Sequence, residues 1–156
     1  MDLLNKNINF NALITHVGEC CLSEKVCGKC DKDNCLIGYC EQSLLKAFKS
    51  NDEYIDDGME YIPVSDTRLY DEEKVIDAIG FILNECKNCQ LYHDEDCIIN
   101  IIRSSLEVAL LGDYMDYKGS SLIYFKDLES KDKEISQKVF SAFNKYNKTN
   151  LSYEGV

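Results

Sequence analysis

The chain has 156 residues, enough for one domain and scarcely for two. It carries 17 basic against 28 acidic residues, a formal charge of −11, and its only arginines are Arg68 and Arg103. Neutralising phosphates needs clustered Lys and Arg, so this balance argues against nucleic-acid binding. No apolar run approaches the ~20 residues that cross a bilayer.

The pattern predicts an all-α or mostly α fold: one small helical domain over residues 1–156, with an irregular, Cys-rich, metal-binding segment near its N-terminus. Asp2 and the interrupted apolar stretches of the first residues do not read as a signal peptide. Leu3, Leu4, Ile8, Leu13, Ile14 and Val17 suit a helix over 2–17. Residues 18–40 hold six cysteines among Gly18, Gly28, Gly38, Asp31, Asp33 and Asn34, a turn-rich segment. A short amphipathic helix is expected over 41–50.

Residues 51–73 form an acidic connection. Ten acidic side chains face only Arg68 and Lys74 within 51–78, a balance of −8. Tyr54-Ile55 and Tyr61-Ile62-Pro63-Val64 suit short extended pieces. The helical core is expected over 71–146. Its best helix, 71–92, opens on Asp71, Glu72 and Glu73, which complement the helix dipole. Its face runs Val75, Ile79, Ile82, Cys86, Cys89, His93. Asp94 or Asp96 would cap a following helix whose apolar face ends at Gly112. Ser120 caps a helix over 121–130, and Asp132 caps another with Ile135, Val139, Phe140, Phe143 and Tyr146 inward. The last ~8 residues are expected to fray. Tyr114, Tyr117 and Tyr124 would cover a core edge, and Arg103 reads as a snorkelling surface residue.

The chemistry lies in nine cysteines and two histidines. Cys20, Cys21, Cys27, Cys30, Cys35 and Cys40 form one group, preceded by His16. Cys86, Cys89, His93 and Cys97 form the other, spaced C-x2-C-x3-H-x3-C. An odd cysteine count and no leader point to the reducing cytoplasm, where such residues serve as metal ligands or catalytic thiols more often than as disulfides. Cys27-Gly-Lys-Cys30 is a two-ligand knuckle, which Cys35 and Cys40 would complete, with Cys20, Cys21 and His16 as alternative ligands. Cys86 and Cys97 would stand about 16 Å apart on one straight helix, too far to share an ion. A helix break at Asp94-Glu-Asp would return Cys97 toward Cys86 and Cys89. The two groups would then hold separate ions or one shared site.

Thiolate and imidazole together favour zinc, with a 4Fe-4S or 2Fe-2S cluster as the alternative. A thiol-disulfide oxidoreductase built on Cys27-Gly-Lys-Cys30 is weaker: no strand precedes the motif and no Trp accompanies it. A His16–Cys20 nucleophilic pair lacks an orienting group. The expectation is thus a cytoplasmic zinc protein of structural, regulatory or interaction role rather than an enzyme. Its partner would be another protein, with neither nucleic acid nor membrane involved.

Overall fold

The computed structural model describes residues 9–22, 25, 27, 34–52, 54–66, 69–85, 96–118 and 120–155, as backbone alone beyond residue 147. Six helices carry these residues: α1 Phe10–Glu19, α2 Leu36–Ser50, α3 Glu72–Glu85, α4 Ile98–Leu111, α5 Ser121–Lys131 and α6 Lys133–Gly155. Extended pairing among the described residues is an isolated antiparallel bridge between Tyr54 and Cys97.

Local chemistry accounts for the boundaries. Asn9 caps α1 by accepting from the Ala12 N–H at 3.0 Å. Cys35 caps α2, its sulfur accepting from Gly38 N at 3.4 Å. Helix α2 therefore begins five residues earlier than the expected 41–50 helix, and Cys40 lies within it rather than in an irregular segment. Cys97, not Asp94 or Asp96, holds the N-cap position of α4. Gly112 ends that helix with φ +91°, a conformation that favours a residue without Cβ. Ser120 caps α5, and Asp132 accepts from Ile135 N at 3.1 Å to start α6. The α6 backbone stays helical to Gly155 where fraying was expected. Of the expected 2–17 and 71–92 helices, residues 1–8 and 86–92 lie outside the described residues.

The helices pair in opposed and aligned directions that can be read from their contacts. Asn9 N donates to Glu85 Oε1 at 3.1 Å, so α1 starts where α3 ends. Leu36 packs with Val108, and Cys40 Sγ reaches Ile102 O at 4.0 Å, so α2 and α4 are antiparallel. α3 packs against α6 along a common direction: Lys138 meets Glu72, and Lys145 meets Asp77 farther along. One apolar cluster runs through Leu13, Val17, Leu44, Ile79, Ile82, Ile98, Ile102, Leu128 and Val139. The stretch 54–66 runs back along the α2–α4 pair. Ile55 N donates to Asp96 O at 2.8 Å, Tyr39 OH donates to Gly58 O, and Asp66 Oδ2 accepts from Leu36 N at 2.9 Å.

Candidate functional site

The first cysteine group spans the end of α1 and the start of α2. Cys20 is buried, and its thiol donates to His16 O at 3.6 Å. Burial, reinforced by the nearby Glu19 charge, pushes that thiol up to about 12. Cys21, the next residue, is exposed, and Cys27 is half-buried. Cys35 stands at the α2 N-cap with its sulfur 3.2 Å from Tyr70 OH, which in turn donates to Asp66. Because the phenol proton goes to the carboxylate, the Cys35 thiol is the donor in the sulfur–phenol contact. Cys40 is fully buried, and burial raises its thiol well above the ordinary range.

Cys35 and Cys40 are not brought together as a ligand pair. Five residues on a helix separate them by about 7.5 Å of rise and about 140° of rotation. Two thiolates on one zinc lie within about 4 Å of each other. Cys20 and Cys40 are core thiols, neutral and packed among Leu13, Val17, Ile37 and Leu44. Tyr70 and Asp66, the neighbours of Cys35, carried no sequence signal beyond an i, i+4 spacing.

In the second group, Cys97 is described and buried, and it opens α4. Cys86, Cys89 and His93 lie outside the described residues, as does Cys30 of the first group. Glu85 closes α3, and α3 packs against α4. The C-x2-C-x3-H-x3-C sequence thus follows Glu85 of α3 in the chain and finishes at the N-cap position of a helix packed beside α3. Among the described residues, no three His, Cys, Asp or Glu side chains gather as a ligand set.

Cys35 and Cys97 occupy opposite ends of the α2–α4 pair. Cys35 adjoins Leu36, which packs on Val108 near the end of α4. Cys97 begins α4, eleven residues and about 16 Å of helix away.

Two further polar clusters were not foreseen. His16 Nδ1 lies 3.5 Å from Asp77 Oδ2, and its ring stacks on Phe81 at 4.4 Å. Tyr146 OH donates to Asp77 at 2.6 Å, and Lys145 donates to its other oxygen. His16 therefore faces a carboxylate on α3, while Cys20 meets its backbone carbonyl, so no Cys–His dyad forms. Arg103 is fully buried rather than snorkelling. Its Nε donates to Glu107 Oε2 at 3.0 Å, its Nη2 donates to Asn100 Oδ1 at 2.7 Å, and its guanidinium lies 4.7 Å from the Tyr117 ring centre. Glu107 also accepts from Tyr124 OH at 2.7 Å and Met115 N at 2.8 Å. This network is closed to solvent and fixes the α4–α5 connection.

No protein-family model, no curated protein and no solved structure matches the chain. No helix among the described residues is long and apolar enough to cross a membrane.

Proposed function

We propose that this chain is a cytoplasmic zinc-binding protein in which the metal fixes two helix connections and presents them to a protein partner. Cys86, Cys89, His93 and Cys97 hold one ion between α3 and α4. Cys27, Cys30 and Cys35, with exposed Cys21 as fourth ligand, hold a second between α1 and α2. The observation that carries the reading is the place of Cys97: it holds the N-cap position of a helix packed against α3. Cys35 has the same relation to α2. The opposite placement of Cys35 and Cys97 supports two separate ions over one shared site.

Three thiolates with an imidazole, and four thiolates, both suit tetrahedral zinc. A structural role follows from the full complement of protein ligands, which leaves no open coordination position for substrate. Elemental analysis of anaerobically purified protein, with an absorption spectrum on the same sample, tests this directly. The expected result is about two zinc per chain and no visible band. Iron with sulfide and a brown charge-transfer band would replace the reading with an iron–sulfur protein. Absence of both metals would sink it. Cys86→Ser and Cys89→Ser should each lose about one zinc and lower the melting temperature.

A further inference from the structure

The sulfurs of Cys20, Cys40 and Cys35 do different things. Cys20 and Cys40 are buried and donate to backbone carbonyls, those of His16 and Ile102. Cys35 is half-buried, and its sulfur accepts from the Gly38 N–H at 3.4 Å. An N–H aimed at sulfur is the contact a thiolate needs, because a thiolate can only accept. Around Cys35 the contacts close into a ring. The Cys35 thiol meets Tyr70 OH at 3.2 Å, and Tyr70 OH donates to Asp66 Oδ2. Asp66 Oδ2 also accepts, at 2.9 Å, from the N–H of Leu36, the residue next to Cys35.

Packing holds the phenol in this ring. Tyr70 lies against the apolar cluster of Leu36, Ile62 and Val108. One turn along α2, Tyr39 OH donates to Gly58 O and fastens the stretch 54–66 to the same helix. The single Tyr70 proton therefore has two acceptors within reach, the Asp66 carboxylate and the Cys35 sulfur. With Cys35 as a thiol, that proton goes to Asp66. A metal bound at Cys35 takes the place of the thiol proton: the S–H bond breaks, a sulfur–metal bond forms, and the proton leaves to solvent. The phenol oxygen then faces a negatively charged sulfur, which is favourable only when the hydroxyl turns to donate to it. Asp66 keeps the Leu36 N–H after that turn.

We propose that Tyr70 is a positioning residue for Cys35 as a metal ligand, its hydroxyl resting on Asp66 until the metal binds. The inference rests on the zinc reading of the α1–α2 connection. Gly38 N–H and Tyr70 O–H supply the thiolate with hydrogen bonds from two separate parts of the chain and leave it a lone pair for the ion. Partners of this kind orient a ligand and tune its hold on the metal. Loading also turns a neutral contact between Tyr70 and the start of α2 into a charge-assisted one.

The test uses the full chain, zinc and cobalt ions as probes, and the variants Tyr70→Phe and Cys35→Ser. Phe keeps the ring against Leu36 and removes only the hydroxyl. In chelator competition, Tyr70→Phe should release one of the two zinc ions about tenfold more readily and hold the other as wild type does. With cobalt in place of zinc, the thiolate-to-cobalt charge-transfer band should move to lower energy in Tyr70→Phe, because the lost hydrogen bond had stabilised the sulfur lone pair. A merely structural phenol would not move that band. In a Cys35→Ser background, where the ion at Cys86–Cys97 remains, Tyr70→Phe should change neither readout. Two ions held as tightly as in wild type, with an unmoved band, would overturn the proposal and leave the zinc reading standing. Release of both ions together would do the same, since it would make Tyr70 a residue of the fold alone. A wild type that binds no metal would overturn both.

Discussion

Arg103 and Glu107 are one helical turn apart on α4 and both are wholly buried. An ion pair removed from water is costly unless a shell of other groups engages its charges. Here Asn100, Tyr117, Tyr124 and the Met115 N–H supply that shell. Burial, and then the Glu107 charge, raises Tyr124 well above the ordinary phenol range, so it remains a proton donor to the carboxylate. Glu107→Ala would strand a buried cation and should destabilise by about 3–5 kcal/mol in urea unfolding. Replacing both partners by Met and Leu should cost clearly less than Glu107→Ala alone. The core cysteines make a contrasting prediction. Cys20 and Cys40 stay protonated at neutral pH because burial opposes the thiolate. Alkylation of native protein should spare both, and unfolding should expose them. Cys40→Ala should cost about 1–2 kcal/mol of stability with zinc content unchanged; loss of an ion would return Cys40 to the ligand set.

Helix contacts place a second kind of demand on the sequence. A Cβ on Gly80 would lie 2.5 Å from the Cβ of Ala142 and 2.8 Å from the Phe143 nitrogen, both on α6. Backbone cannot yield as a flexible side chain can, so Gly80→Ala should push α6 off α3. The expected loss is about 1–3 kcal/mol, measurable as a lower urea midpoint with the slope retained. Such close approach has no signature in periodicity, and Gly80 passes unnoticed on a helical face. Capping is different, since it is written locally. Ser120, Asp132 and Gly112 were readable because each residue acts on neighbours within four positions. The apolar repeat Val75, Ile79, Ile82 was readable for the same reason. Cys35 and Cys97 were read as ligands and not as caps, because cysteine is not among the usual capping residues. Arg103 was misread because its partners come from another turn of α4, from the following connection and from α5. Phe140 fits the inward stripe by spacing alone, yet Phe125 of α5 covers only part of its ring. The candidate metal residues were legible as two clusters, but the placement of Cys35 and Cys97 at opposite ends depends on α2 and α4 running antiparallel.

At the scale of the whole molecule, Asp77 joins three helices that are far apart in sequence. It sits on α3, receives Tyr146 and Lys145 from α6, and lies beside His16 from α1. Burial alone would raise its carboxyl, but the Lys145 and Tyr146 hydrogen bonds, with the Lys145 and His16 charges, outweigh it and lower the group below its ordinary 3.8. A carboxyl depressed in the folded state binds protons more readily when unfolded. Its stabilising contribution is therefore complete above the unfolded value and declines as pH falls through the lower folded value. Asp77→Asn keeps the shape and removes the charge. It should reduce stability by roughly 0.5–1 kcal/mol near neutrality, the scale of a partly exposed ionic network. Urea unfolding of both proteins across an acid series should show the difference constant down to about pH 4 and vanishing below it. A difference that stayed constant into strong acid would assign Asp77 a packing role and leave the joining of α1, α3 and α6 to the stacked His16, Phe81 and Tyr146 rings.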